Sequence, residues 1–259
     1  MPQPVIRQDG NIAIYHDQLN LEQRREDVFY RSNGSMCSVQ EIGKQILWKA
    51  KSLWTLDEII KKYNLSFSGK VLELGGGYGV QAVFLKNKFG NEIDFYYSDI
   101  SLHAVQTSSV FEKSFDTTID HKWVIEAENI PADKDFFDLV FFFESFHHTQ
   151  DPAKAVAECW RVLKPGGKLY LIMEPACPTF WRYLYHRKTH RHEVEEKSYS
   201  RATYKKLILK NFSSISQHNF TGFFNRESKK ALLYYLIMSL LPNQLHSLFP
   251  CSQVIVAIK

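Results

Sequence analysis

Apolar and polar positions follow two rhythms along this chain. From Val39 to Tyr63, Ile42, Ile46, Leu47, Leu53, Leu56, Ile59 and Ile60 recur at roughly helical spacing, which predicts one long helix beside the main domain. From Lys70 onward, short apolar runs alternate with helical stretches. Residues 71–74, 93–97, 122–125, 137–143 and 168–173 read as strands. The run 137–143 is apolar on both faces, as a buried parallel strand should be. Helices are expected over 81–88, from Ser101 as N-cap, and over 153–163, where Asp151 caps and Pro152 takes the first position. Pro165-Gly166-Gly167 reads as a tight turn. Such βαβ alternation predicts an α/β domain with a parallel sheet and helices on both faces.

The last third is less regular. Residues 175–198 lack clear periodicity, 199–210 look helical, 212–220 suit a strand, and 253–258 form a final strand that fits an antiparallel partner at the sheet edge. The longest apolar run, 231–241, is too short to span a bilayer and stops at Pro242. It is expected as a buried helix, with a membrane-surface helix as the alternative.

Bulk properties narrow the picture only a little. The 259 residues suit one large domain with additions, and 44% apolar with 23% charged residues is ordinary for a globular protein. A net charge of +4 does not by itself argue for nucleic acid. Cys37, Cys159, Cys177 and Cys251 form no CxxC pair and no zinc-like spacing, so they read as isolated thiols of a reducing, cytoplasmic compartment, and no metal is expected. The first fifteen residues have no signal-peptide core.

The first strand of the alternating region runs into Glu73-Leu74-Gly75-Gly76-Gly77-Tyr78-Gly79. Glycines let the backbone approach a ligand closely, and the next helix aims its N-terminus there. The pattern Gly77-x-Gly79-x-x-Ala82 fits the looser dinucleotide motif, so a nicotinamide cofactor stays open on this turn alone. Asp99, twenty residues after Gly79, can accept both hydroxyls of a ribose, which suits any nucleoside cofactor. Glu73 discriminates better. Its carboxylate would repel a pyrophosphate and attract the ammonium and sulfonium charges of S-adenosylmethionine.

Four segments in order then resemble class I S-adenosylmethionine-dependent methyltransferases, in particular the type 11 or UbiE-like group. They are Val71 to Gly79, Glu126-Ala127-Glu128-Asn129-Ile130-Pro131, Phe137 to His148 with Asp151-Pro152, and Arg161-Val162-Leu163-Lys164-Pro165-Gly166-Gly167. The resemblance covers residues 70–174. It implies a Rossmann-like, seven-stranded, mostly parallel sheet with an antiparallel final strand, an N-terminal helical cap over 1–66, and a methyltransferase domain over 67–259. Substrate-covering insertions are expected at about 175–198 and 222–250. Gly75 and Gly77 would pass under the methionine part of the cofactor, Glu73, Gly76 and Glu144 would also be cofactor-binding, and Asp99 would bind the ribose diol. Ile100 would pack on the adenine face, Glu126 would accept from the adenine amino group, and the Ala127 amide would donate to the ring. Asp is commoner in the family where Glu126 stands here. The Lys-Pro-Gly-Gly turn has a structural role.

The implied activity is methyl transfer to a small-molecule acceptor, leaving S-adenosylhomocysteine. A non-catalytic cofactor-binding protein of the same fold is the alternative, and an NAD(P)-dependent oxidoreductase a weaker one. Glu144, near the methionine end, and His147 are the candidate catalytic residues, with His148 beside them. A packing or hydrogen-bonding role suits the histidine pair better than base chemistry. Tyr15, His16 and Arg31 are placed to fold over the cofactor as a lid. The basic and aromatic stretch 181–192 reads as a solvated segment first and a substrate lid second, ahead of nucleic acid or a metal site. The residues carry no choice between oxygen, nitrogen and carbon as acceptor atom.

Overall fold

The computed structural model describes residues 4–16, 23–25, 27–28, 31, 39–178, 181, 197–220 and 229–259, and of 39–48, 229–232, 235, 243 and 244 the backbone alone. Cys37 and nearly all of the basic stretch 181–192 lie outside the described residues, Trp181 excepted.

Nine strands form one sheet: β1 (Arg7–Asp9), β2 (Ile12–Ile14), β3 (Gly69–Leu74), β4 (Ile93–Asp99), β5 (His121–Val124), β6 (Phe137–Phe143), β7 (Leu163–Ala176), β8 (Ser214–Phe220) and β9 (Cys251–Ile258). Their order is β1-β2-β5-β4-β3-β6-β7-β9-β8. The six strands from β2 to β7 in that order run parallel, while β9 is antiparallel to both β7 and β8. The count exceeds the expected seven because the N-terminal segment adds a hairpin of two three-residue strands to the sheet. The final strand lies inside the sheet, and β8 takes the edge. The Pro165-Gly166-Gly167 stretch falls within β7, where the Lys259 and Gly166 amides tie it to the chain end.

Helices cover both faces. Helices α1 (Val39–Tyr63), α2 (Val80–Phe89) and α3 (Leu102–Ser114) pack on one, and α4 (Pro152–Val162) and α5 (Arg201–Ile208) on the other. Asp151 accepts from the Ala153 and Lys154 amides at 3.0 Å, capping α4 ahead of Pro152. Side chains alternate along each strand. Val71, Phe95, Tyr97, Phe141 and Phe143 meet α1 to α3, whereas Leu72, Leu74, Tyr96, Val140 and Phe142 meet α4 and α5. Emptying a site such as Phe141 or Phe142 with alanine would cost about 3–5 kcal/mol. The same period places Glu73 and Asp99 on the α1 side.

After β8, α6 (Lys229–Leu240) and the short α7 (Asn243–His246) lead back to β9. Helix α6 is not the buried helix its hydropathy suggests, since Leu233, Leu236, Ile237 and Leu240 are exposed. Among the described residues no helix is long and apolar enough to cross a membrane.

Candidate active site

Strand order reverses between β3 and β6, and there the carboxyl ends of an open α/β sheet form a crevice. The end of β4 shapes the glycine turn lying in it. The Ser98 hydroxyl donates to the Glu73 carbonyl at 2.6 Å, and the Ser98 carbonyl accepts from the Gly76 amide at 2.9 Å. The Tyr97 hydroxyl donates to the Gly77 carbonyl. Asp99 Oδ2 accepts from the Gly77 amide at 2.8 Å. Two glycines are required for different reasons. Gly77 has φ +58°, a left-handed conformation that a side chain disfavours. Gly76 needs space, because a Cβ there would stand 2.7 Å from the Tyr97 ring and 2.8 Å from the Glu73 carboxyl carbon.

Beneath this cradle Glu73 is fully buried, and neither of its carboxylate oxygens has a hydrogen-bond partner among the described residues. Burial pushes its pKa up to about 8, opposed by the Lys49 charge and reinforced by Asp99. Asp99 is pushed up to about 6, again by burial, while amide hydrogen bonds from Ser101, Gly77 and Ile100 hold it back. Lys49 comes from α1. Burial lowers its pKa, and attraction to Glu144, Glu73 and Asp99 resists that fall. Three carboxyl groups thus share one lysine, a surplus of acid that favours a further cation.

The turn after β6 forms the other wall. Glu144 has φ +50°, which costs a non-glycine residue about 1–2 kcal/mol, and reverses the chain. The chain then enters a short 3₁₀ turn, Phe146–His148. Glu174, fully buried near the end of β7, accepts from the Ser145, Phe146 and His147 amides at 3.0, 2.9 and 3.1 Å and pairs with His147 Nδ1 at 2.9 Å. One carboxyl group thereby satisfies the open N-terminus of the turn.

The resulting cleft is open to solvent. It is lined by residues from several segments. Gly75, Asp99, Ile100 and Ala127, all singled out from the sequence, meet there. Glu126 lies behind Ala127, where its Oε1 accepts from Gln23 Nε2 at 2.9 Å. His147 is held at Glu174, and His148 is the histidine that lines the cleft. Burial, with the His147 and Lys197 charges, lowers the His148 pKa to about 3, so its ring is neutral at ordinary pH. The N-terminal segment reaches the site through residues that sequence reading did not select. Gln23 lines the cleft, and Asp27 accepts from the Ser101 hydroxyl at 2.6 Å while pairing with Arg31 at 2.7 Å. Tyr15 instead packs on Trp123, with ring centroids 5.6 Å apart. Lys49, Ser145, His148 and Glu174 were also missed or undervalued, and a polar residue breaking an otherwise apolar strand end was the available signal for Glu174. Among the described residues no group of three His, Cys, Asp or Glu side chains could hold a metal.

Comparison with known proteins agrees with this geometry. Residues 72–171 match the Methyltransf_11 family, described as a methyltransferase domain. The chain is 34% identical over 106 residues to tocopherol O-methyltransferase of Arabidopsis thaliana, covering 40% of this chain and 29% of that one. It is 30% identical over 145 residues to the ubiquinone/menaquinone biosynthesis C-methyltransferase UbiE of Francisella philomiragia, covering 55% and 54%. The chain therefore spans less than two thirds of the length of these curated relatives. In fold it resembles YcgJ of Bacillus subtilis, with a TM-score of 0.57 and 19% identity over 79% of this chain and 97% of that one. It also resembles a Haemonchus contortus phosphoethanolamine N-methyltransferase solved with S-adenosylhomocysteine, with a TM-score of 0.54 and 17% identity over 80% of this chain and 52% of that one. The motifs, the sheet with its crevice and these likenesses converge on residues 72–171, which match a methyltransferase domain set in a methyltransferase-like fold.

Proposed function

We propose that this protein transfers the methyl group of S-adenosylmethionine to a small-molecule acceptor. The observation that carries the reading is Glu73, a buried carboxyl group without a hydrogen-bond partner among the described residues, set under a glycine cradle that a Cβ would fill. A nicotinamide dinucleotide would bring its pyrophosphate against this acid, whereas a sulfonium and an ammonium answer it. Asp99 is the ribose ligand in this reading. Ile100 and the Ala127 amide hold the adenine, and Glu126 steadies that wall with Gln23. Gly75, Gly76 and Gly77 pass under the methionine moiety, and Glu144 stands at its far end.

The cofactor, when bound, supplies an electrophilic methyl group whose bond to sulfur breaks as the acceptor's lone pair attacks from the opposite side. The residues of this chain orient the two reactants, and positioning can supply much of such a rate gain. A proton released by the acceptor would pass to Glu144 or to the neutral ring of His148, with His147 and Glu174 fixing the turn that presents them. The described residues before β3 act as a cap over the cofactor in this reading, while 179–180, 182–196 and 221–228, in the segments expected to cover the acceptor, lie outside the described residues. Cys159, Cys177 and Cys251 are buried and not in disulfides, which suits a reducing compartment such as the cytoplasm. The relatives methylate oxygen, nitrogen and carbon, so the acceptor is set by residues outside their shared core.

Calorimetry tests the reading. S-adenosylhomocysteine should bind the parent protein, and Asp99→Ala should weaken it by roughly 1.5–3 kcal/mol, the range for a hydrogen bond to a charged group. Absence of binding by the parent would sink the proposal. Tight binding without turnover over a broad acceptor panel would mark a non-catalytic protein of the same fold.

A further inference from the structure

Helix α6 carries two apolar stripes, and only one is used by the fold. Met238 is buried against the domain, and the Tyr234 hydroxyl, on the same side, donates to the Pro250 carbonyl at 2.7 Å. Leu233, Leu236, Ile237 and Leu240 stand at i, i+3, i+4 and i+7, so they form one continuous stripe. They are 57%, 47%, 51% and 79% exposed. Leu245 and Leu248 in the following turn are exposed too. Single exposed leucines are ordinary, but a contiguous apolar surface marks an interaction site.

Position and charge say what it meets. The chain leaves the sheet at Phe220 and returns at Cys251, opposite Ala176, so α6 sits beyond the same carboxyl edge as the cleft and Glu174. Trp181 also lies at this edge, its indole N–H donating to the Leu248 carbonyl at 3.0 Å. Tryptophan is favoured where water meets lipid. From Ser228 to Lys259 the sequence has no Asp or Glu, and α6 opens with Lys229 and Lys230. Lysines at a helix N-terminus oppose its dipole, so helix stability does not account for them. An anionic surface would attract these charges. At twelve residues, or about 18 Å, the helix is too short to span a hydrocarbon core of about 30 Å and suits lying on it.

We propose that the stripe Leu233, Leu236, Ile237 and Leu240 docks this protein on the surface of an anionic phospholipid bilayer, with the cofactor edge of the sheet turned toward the lipid. The docking is independent of which acceptor is methylated, and its test needs no turnover, so its failure is separable from that of the methyltransferase reading.

The test is co-sedimentation with vesicles. The parent protein should bind phosphatidylserine–phosphatidylcholine vesicles and bind pure phosphatidylcholine much less. The double variant L236E/L240E should bind the anionic vesicles at least about tenfold more weakly. Its S-adenosylhomocysteine affinity should stay at the parent's value, and L236S/L240S serves if the charged pair impairs folding. Replacing Lys229 and Lys230 by alanine should weaken binding about fivefold per lysine, and added salt should act in the same direction. The proposal is overturned if the parent ignores both vesicles or if the variants bind as well as the parent. A parent dimer that L236E/L240E converts to monomer, without vesicle binding, would overturn it too and assign the stripe to contact between copies.

Discussion

Two strands of the sheet carry, near their carboxyl ends, a glutamate that water does not reach, and their surroundings are opposite. Glu174 on β7 accepts from three backbone amides and pairs with His147. Glu73 on β3 has no hydrogen-bond partner among the described residues. The first spends its acceptors on building a wall of the cleft. The second keeps a desolvated carboxyl group in reserve, which is costly unless something charged or protonated answers it. Equal burial therefore has two meanings. A satisfied acid belongs to the fold, and an unsatisfied one beneath a glycine cradle is left able to answer a ligand.

Removal of each acid should break this comparison if it is wrong. The largest effect is expected for Glu174→Ala, which strands buried donors worth about 1–3 kcal/mol apiece and should lower unfolding stability by at least about 3 kcal/mol. A denaturant titration that finds less than about 1 kcal/mol would make the two acids alike. Glu73→Gln should leave stability near or above the parent's, since a buried acid without a partner is lost. It should weaken S-adenosylmethionine binding by about 1.5–3 kcal/mol, measured by calorimetry. Unchanged affinity would remove Glu73 from the cofactor site.

A pH series sharpens the contrast further. Folding raises the Glu73 pKa from 4.5 to about 8, so the protonated side chain is the one the fold favours. Its contribution to stability is whole below about 4.5 and is lost as pH rises through about 8. Cofactor affinity should move the other way, rising with pH toward a limiting slope of about tenfold per unit below 8, because the cation needs the ionised form. Glu73→Gln should flatten that profile, and a parent profile already flat between pH 6 and 8 would contradict it. The smallest effect belongs to His147→Ala. It removes one of the four Glu174 contacts and should cost about 1–1.5 kcal/mol of stability, with little change in cofactor affinity.

Much of the site was legible in the chain. Glycines 75 to 79, Asp99, Ile100 and Ala127 follow strands that their neighbours predict, and strand ends in a parallel sheet point to one edge. Helix Val39–Tyr63 was readable to its ends because its apolar spacing is local. Other features depend on long-range contact. Gln23 meets Glu126 across 103 residues, and Glu174 reaches back 27 to 29 residues to its partners. The hairpin β1–β2 has strands of three residues, too short to announce themselves by alternation.

The sequence by itself determined the βαβ order, the glycine turn and the acids around it, because periodicity, glycine content and spacing are properties of neighbouring residues. Only the tertiary structure decided which acid is satisfied, which histidine faces the cleft, and which stripe of α6 meets water. Those outcomes are fixed by packing between distant segments. The same carboxyl group, imidazole or leucine takes its role from the partners that the fold brings to it.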